Sequence, residues 1–157
     1  MTSTITVSYG GMLAPPPVAP TRAAILRLQE ALLPVQCEMP EPVHHFARGM
    51  YGRELTLPAG AVVVGKIHKH EHLLMVLKGR ATVVSEFGRQ EVLAGWISVS
   101  LPGTKRAVYS HEDTTFVTVH LNPTDTHDLH AVEAEHIEPE SADVQALFAK
   151  YIEGALT

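Results

Sequence analysis

The feature that most constrains the fold of this chain is a series of turn signals between residues 44 and 121. Most of the turns contain Gly or Pro, as in Pro58-Ala59-Gly60 and Lys78-Gly79, and they separate short runs with the texture of β-strands. The runs are Gly52–Leu57, Ala61–Ile67, Leu73–Leu77, Arg80–Glu86, Gln90–Leu93, Trp96–Leu101, Arg106–Tyr109 and Thr115–Leu121. About eight strands at this spacing predict a β-sandwich or a β-barrel.

The segments on either side of this region differ from it. The proline-rich residues 1–20 carry no charged side chain, and Thr21 is a plausible N-cap of a helix that continues to about Leu33, before Pro34. Residues 140–156 place apolar side chains at helical spacing and predict a second helix. The predicted parts are an arm with a short helix (1–43), a barrel (44–122) and an acidic segment with a helix (123–157).

Composition excludes several classes of protein. Among the 157 residues, Lys and Arg number 12 and Asp and Glu number 17, so the chain lacks the basic excess that coating nucleic acid requires. No apolar run approaches the roughly 18 residues that span a bilayer. Cys37 is the single cysteine, which excludes an internal disulfide, and the first residues lack the basic start of a secretory signal. We therefore expect a soluble, cytoplasmic protein.

Histidine is the unusual residue type, with ten in the chain and three of them between Lys66 and His72. Neutral imidazole is the commonest protein ligand of transition metals. On an extended strand, residues two apart face the same side, so His68, His70 and His72 are able to converge. A solvated polar loop between two strands explains the same cluster, and the histidines alone do not decide between the two interpretations.

The positions of Gly and Pro around the histidines resemble the two motifs of the cupins. The first motif is matched by Gly60, Lys66, His68, His72 and Gly79. The second motif is matched by Gly95, Pro102, Gly103 and Arg106, with the proline one place late. The resemblance covers Tyr51 to Leu121 and is to small single-domain cupins such as occur in bacteria and their phages. It implies a mostly β fold, the cupin-type double-stranded β-helix or jelly-roll barrel, here with short terminal helices.

The chain departs from the cupin pattern at the metal ligands. A cupin typically uses two histidines and a glutamate of the first motif and a histidine of the second. The resemblance places Lys66, His68, His72 and Arg106 at those positions. A cation about 4 Å from a divalent metal is repelled by several kcal/mol at intermediate screening. The common four-ligand iron or manganese site is therefore not expected here.

One interpretation is a three-histidine metal centre. His120 is the candidate third ligand, in the alternation Phe116, Thr118, His120, although the sequence leaves open which face of that strand looks inward. His70 is its competitor, and the cupin register places His70 in a turn. Three neutral ligands with open positions suit zinc, iron(II) or nickel.

The remaining candidates concern an anionic small-molecule ligand. Lys66 and Arg106 would hold its charge beside the metal, and the Tyr109 hydroxyl would orient it. In a rival, metal-free interpretation Lys66, Lys105 and Arg106 line the mouth of the barrel and receive a carboxylate, a phosphate or a sugar acid. For Lys105 the sequence favours an exposed turn. An internal carboxylate, Glu54 or Glu86, is an alternative partner of these cations.

The other histidines receive less weight. His44 and His45 are expected at the surface or in a subunit contact. His127, His130 and His136 belong to the acidic segment, where His127 and His130 could meet on one helical turn and capture a metal adventitiously. The arm and the first helix suit a homodimer, since small cupins commonly pair through a sheet face or exchanged arms. The alternative to a metal-binding cupin is a non-catalytic ligand-binding or structural cupin, in one version phage-associated.

Overall fold

A computed structural model of the chain describes residues 22–35 and 38–140. Within these ranges it has two α-helices and nine β-strands. They are α1 (Arg22–Leu32), β1 (Val43–Ala47), β2 (Gly49–Leu57), β3 (Val62–Val64), β4 (His72–Lys78), β5 (Arg80–Ser85), β6 (Gly88–Leu93), β7 (Ile97–Ser100), β8 (Arg106–Ser110), β9 (Thr114–Asn122) and α2 (Leu129–His136). No helix in these ranges is long and apolar enough to cross a membrane.

The strands form two antiparallel sheets. The five-stranded sheet has the order β1-β2-β9-β4-β7, and the four-stranded sheet has the order β3-β8-β5-β6. From β2 onward the chain repeatedly changes sheet, so that β4, β7 and β9 lie in one sheet while β3, β5, β6 and β8 lie in the other. This is the arrangement of a jelly roll. The predicted mostly β, double-stranded β-helix fold is confirmed.

Side chains from both sheets fill the space between them. The buried cluster consists of Leu57, Leu74, Val76, Ala81, Val83, Val92 and Phe116. On β4 the residues alternate strictly at first, since His72, Leu74 and Val76 are buried and Leu73 is exposed. The same face of the strand therefore carries both the apolar core and a histidine.

Gly79 is required by the turn between β4 and β5. Its φ is +84°, a region that residues with a Cβ rarely adopt, and a Cβ built there would lie 2.3 Å from the Asp113 carbonyl oxygen. Gly79 is also the last position of the first cupin-like motif. Close packing of this turn against the start of β9 therefore explains why glycine stands there.

The helices agree with the sequence only in part. Helix α1 matches the predicted first helix, while its predicted N-cap Thr21 and nearly all of the helix predicted over 140–156 lie outside the described residues. Helix α2 was not expected. Asp128 caps it by accepting a hydrogen bond from the His130 backbone N–H at 3.0 Å, and only Val132 and His136 on it are buried. With so few apolar residues on one face, the helix lacks a readable periodic signal.

Candidate metal centre

Three histidines meet at one end of the barrel interior. His68 follows β3, His72 begins β4 and His120 lies near the end of β9. The ring centroids are 4.1 Å apart for His68 and His72, 4.5 Å for His72 and His120, and 5.1 Å for His68 and His120. One potential ligand atom from each residue lies within 4.8 Å of the other two. The structure thus brings together the three residues that the sequence proposed as metal ligands.

The strand pairing explains how two of the rings meet. Leu73 on β4 is opposite Val119 on β9, and one step further along the same antiparallel ladder His72 is opposite His120. Both rings occupy the buried face, which answers the question that the sequence left open about His120. His68 is held separately, because it forms a β-bridge with Ile137 and its carbonyl accepts a hydrogen bond from the Gly103 N–H at 2.9 Å.

The nitrogen atoms of the three rings are poorly satisfied by the protein. His68 Nδ1, His72 Nε2 and His120 Nδ1 are buried and have no hydrogen-bond partner among the described residues. Each such group costs about 1–3 kcal/mol when it is left unpaired. The other nitrogen of His72, Nδ1, lies 3.3 Å from the His70 carbonyl oxygen, a contact that orients Nε2 toward the cluster. The donor set, its spacing and its unsatisfied atoms fit a divalent transition metal.

The electrostatic environment keeps the rings neutral. Burial, followed by the charge on His72, lowers the pKa of His68 and of His120 from 6.5 to about 3. Burial is also the main cause of the lowered pKa of His72. A neutral imidazole has a free lone pair, so all three residues are able to act as ligands near neutral pH.

His136 is a fourth imidazole at this centre, and the sequence analysis missed it. It is the last residue of α2, it is only 6 % exposed, and its ring centroid lies 4.8 Å from that of His120. The sequence placed His136 in the acidic segment and gave it no role at the centre, whereas the structure places its ring beside that of His120. The only sequence signal for the burial of His136 was its spacing from Val132, since residues four apart share one face of a helix. One such pair is a weak signal.

Tyr51 and His44 form a second layer behind His120. The Tyr51 ring is buried with its centroid 6.0 Å from that of His120, and its hydroxyl is hydrogen-bonded to His44 Nδ1 at 2.8 Å. Burial raises the pKa of the Tyr51 hydroxyl. The expectation of a surface or subunit-contact role for His44 did not foresee this contact, because it depends on the pairing of β1 with β2.

Arg106 lies inside the barrel, as the cupin register implied. Its Nη2 donates a hydrogen bond to Ser100 Oγ at 2.8 Å, and burial lowers the pKa of the guanidinium. Its charge contributes to the lowered pKa of His68 and of His72. Arg106 also lines a cavity of about 170 Å³ together with Trp96, Ser98, Ser100 and Thr104. The cavity therefore has a partly buried cation at its wall, and none of the three histidines lines it.

The two predicted lysines are placed differently from the expectation. Lys66 is about half exposed and donates to Glu133 of α2, so it does not point into the barrel. The physical reason is that β3 ends at Val64, and the strand alternation is not continued to residue 66. Lys105, expected on an exposed turn, is only 1 % exposed, and burial lowers its pKa. The expectation of a solvent-exposed Lys105 is wrong.

The suggested internal carboxylates have other partners. Glu54 lies 3.0 Å from His45 Nε2. Glu86 accepts a hydrogen bond from Arg22 and a longer one, at 3.4 Å, from the Lys105 backbone N–H. Within residues 22–35 and 38–140, neither carboxylate forms a salt bridge with Lys66 or Arg106.

Two further predicted ligand-binding residues lie away from the cavity. Tyr109 is exposed and packs edge-on against His111, with the ring centroids 4.9 Å apart. Side chains on a strand alternate between its two faces. Because Arg106 and Val108 face inward on β8, Tyr109 lies on the opposite face and is exposed. His70 lies in a bend, as the register implied, with Nε2 3.3 Å from Glu135. Its backbone carbonyl oxygen lies 3.3 Å from His72 Nδ1, and its ring packs edge-on against His136, with the ring centroids 6.0 Å apart.

Comparison with known proteins yields structural likeness without sequence relatives. No protein-family model matches the chain, and no curated protein matches it in sequence. A cupin-2 domain containing protein from Shewanella frigidimarina is 9% identical, with a TM-score of 0.46 over 60% of this chain and 92% of its own. A cupin protein from Bacteroides fragilis is 20% identical, with a TM-score of 0.43 over 55% of this chain and 82% of its own.

An ectoine synthase from P. lautus is 12% identical, with a TM-score of 0.48 over 57% of this chain and 67% of its own. Likeness at these identities concerns the fold, and function does not follow from it. The strand order of the two antiparallel sheets describes the fold without these comparisons, and so does the histidine cluster at one end of the barrel. The chain forms a double-stranded β-helix with a histidine cluster at one end of its interior.

Proposed function

We propose that this chain binds one divalent transition metal ion through His68, His72 and His120, and that it acts on or binds a small anionic molecule beside that ion. The observation that carries the proposal is the set of three buried imidazole nitrogens without hydrogen-bond partners among the described residues. Zinc, iron(II) and nickel all suit imidazole ligands. When bound, such an ion supplies Lewis acidity toward a carbonyl or phosphoryl oxygen.

The anionic character of the small molecule is supported by Arg106. Its guanidinium is the cation on the cavity wall, where its Nη2 donates a hydrogen bond to Ser100 Oγ. A guanidinium matches a carboxylate or a phosphate with a two-pronged hydrogen bond. The cavity of about 170 Å³ is small beside the 300–1,000 Å³ typical of drug-sized ligands, which favours a small molecule.

Thermal unfolding tests both parts of the proposal. Protein stripped with a chelator is expected to gain stability from Zn²⁺, because a ligand that binds the folded state raises its apparent stability, by about 2.7 kcal/mol at 100 times Kd. Succinate is then expected to add a further shift in the wild type. Arg106→Gln is expected to weaken succinate binding at least about 10-fold, since a charge-assisted hydrogen bond contributes roughly 1.5–3 kcal/mol.

Lys66→Gln is the matched control for the second part. Like Arg106→Gln, it removes one positive charge from a position that the cupin resemblance gives to a metal ligand. The Lys66 side chain, however, is half exposed and pairs with Glu133. We expect succinate binding within a factor of about two of the wild type, in line with the small contribution of exposed pairs. Equal binding by wild type and Arg106→Gln would contradict the assignment of Arg106.

The competing function is a non-catalytic cupin without a metal, either a ligand-binding module or a structural part of an assembly. Arg106 favours it, because a cavity that already carries a positive charge at its wall is able to hold an anion by itself. Succinate binding that persists at full strength in protein unable to bind Zn²⁺ would support this alternative.

A homodimer is proposed from the outer face of the five-stranded sheet. Leu73, Ile97 and Val99 are exposed there, with Leu73 directly opposite Val99 on the neighbouring strand. A contiguous apolar patch on a sheet face marks a binding surface, and a second copy of the chain presents the same patch.

Residence in the cytoplasm stays a prediction from the single cysteine.

A further inference from the structure

The imidazole of His136 reaches the three-histidine centre from outside the two sheets. Its ring centroid lies 4.8 Å from that of His120, and the planes of the two rings are inclined by 35°. The side chain is more than nine-tenths buried, and its Nδ1 has no hydrogen-bond partner among the described residues. A buried nitrogen with a free lone pair beside three others of the same kind lacks a structural purpose in the metal-free protein.

The backbone next to His136 is fixed relative to His68. The His136 carbonyl accepts a hydrogen bond from the Lys69 N–H at 2.8 Å, and the Glu138 N–H donates to the Ile67 carbonyl at 2.9 Å. Between these two bonds, Ile137 forms the β-bridge with His68. The end of α2 and the segment that carries His68 therefore form one small antiparallel ribbon, which holds the His136 ring beside that of His120.

Side-chain contacts of α2 hold the same two segments together. Lys66 donates to Glu133, the Lys69 ammonium donates to the Ala134 carbonyl at 2.6 Å, and His70 Nε2 lies 3.3 Å from Glu135. These contacts place the last turn of α2 over the loop between β3 and β4. The helix is thus positioned as a cover of the metal centre.

We propose that His136 is a fourth ligand of the metal centre, through Nδ1, and that it is supplied by the helix α2 that covers the barrel. This inference rests on the proposed metal-binding function. Four neutral imidazoles leave the full double positive charge of the ion uncompensated, which favours an anionic small molecule beside Arg106. An ion that accepts five or six ligands keeps an open position for it, whereas a strictly tetrahedral ion would be closed.

A cysteine placed at position 136 tests whether this position reaches the metal. His136→Cys loaded with Co²⁺ is expected to show a thiolate-to-cobalt charge-transfer band in the near ultraviolet, because a thiolate bound to cobalt absorbs there. His130→Cys is the matched control on the exposed part of the same helix, and the wild type reports on Cys37. Both are expected to lack the band. Cobalt-loaded His136→Cys without the band would overturn the proposal.

The number of coordinating rings gives a second test that needs no new ligand. In Co²⁺-loaded protein each coordinating imidazole contributes one strongly shifted, exchangeable N–H resonance to the proton NMR spectrum. We expect four in the wild type and in His130→Gln, and three in His136→Gln. Three resonances in all of them would overturn the role of His136 and leave the three-histidine centre intact. A wild type that binds no cobalt would overturn the proposed function and this inference together.

Discussion

At the scale of single residues, the central property of this protein is that its internal histidines are neutral and unpaired. Burial lowers the pKa of His68 and His120 to about 3, and each of these rings has a buried Nδ1 without a hydrogen-bond partner among the described residues. A neutral, desolvated imidazole is a good ligand and a costly group to protonate. The same property that prepares the site for a metal therefore makes the metal-free protein sensitive to acid.

This sensitivity is a prediction for protein held in excess chelator. Between pH 6.5 and about 3 the unfolded chain binds protons at His68 and His120 that the folded chain does not, so the stability is present above pH 6.5 and is lost as the pH falls. Each of these two histidines contributes a slope of at most about 1.4 kcal/mol per pH unit. Urea unfolding at pH 7 and pH 5 measures this slope.

His120→Gln is expected to reduce the loss of stability between pH 7 and pH 5, because it removes one of the buried groups. His130→Gln, which changes an exposed histidine of α2, is expected to leave the loss unchanged. A wild type as stable at pH 5 as at pH 7 would show that the imidazoles are not held neutral by burial.

Sequence reasoning at this scale succeeded where strand alternation applies. His72 and His120 lie on regular strands, so their shared face follows from their spacing and pairing. Lys66 and Lys105 were misplaced because each lies just outside a strand, where alternation no longer fixes direction. His136 was missed because its position depends on the docking of a helix, which no local pattern records.

At the scale of elements, the turns decide the register of the barrel. Gly79 has a positive φ and has no room for a Cβ, whereas Gly60 has a nearly equal φ of +82° with nothing within 4 Å of the Cβ position. The pair separates two effects of replacing glycine, the backbone preference and the steric clash.

We expect Gly60→Ala to lower the free energy of unfolding by about 1–2 kcal/mol, the cost of a left-handed backbone for alanine. Gly79→Ala is expected to cost clearly more, because the Asp113 carbonyl at 2.3 Å must also move. Urea denaturation of the two variants under identical conditions measures the difference. Equal losses would contradict the close packing of the Gly79 turn against β9.

The elements that the sequence predicted well are those bounded by such turns. The runs starting at Arg80, Arg106 and Thr115 correspond closely to β5, β8 and β9. The run 61–67 shortened to β3 because the chain leaves the sheet after Val64 to carry His68 toward the centre. Strand β1 was not predicted, since its short histidine-containing sequence is recognisable only through its pairing with β2.

At the scale of the whole molecule, the two sheets enclose the site, and the outer face of the larger sheet presents apolar side chains. Val99→Glu introduces a charge on the edge strand β7 of that sheet, opposite Leu73 on β4, and is expected to convert a dimer into a monomer. Leu93→Glu is the matched control, an equally exposed leucine on β6 of the other sheet. Analytical ultracentrifugation measures the change, and a Val99→Glu dimer would contradict the proposed interface.

The architecture was predictable as a whole because it depends on many local signals that agree, namely turn glycines, short β-like runs and their even spacing. The chemistry was predictable only in outline. Whether Arg106 faces a cavity and which fourth histidine approaches the centre are consequences of packing between elements distant in sequence.

The metal content of the protein tests the central claim most directly. Protein purified without an affinity tag and analysed for its elements is expected to contain about one transition metal ion per chain, held by neutral imidazole ligands. The double variant His68→Gln, His72→Gln is expected to contain none, while His127→Gln, a change outside the cluster, keeps the wild-type content. Wild-type protein that is folded yet metal-free, both as purified and after incubation with zinc, iron(II) or nickel, would contradict it.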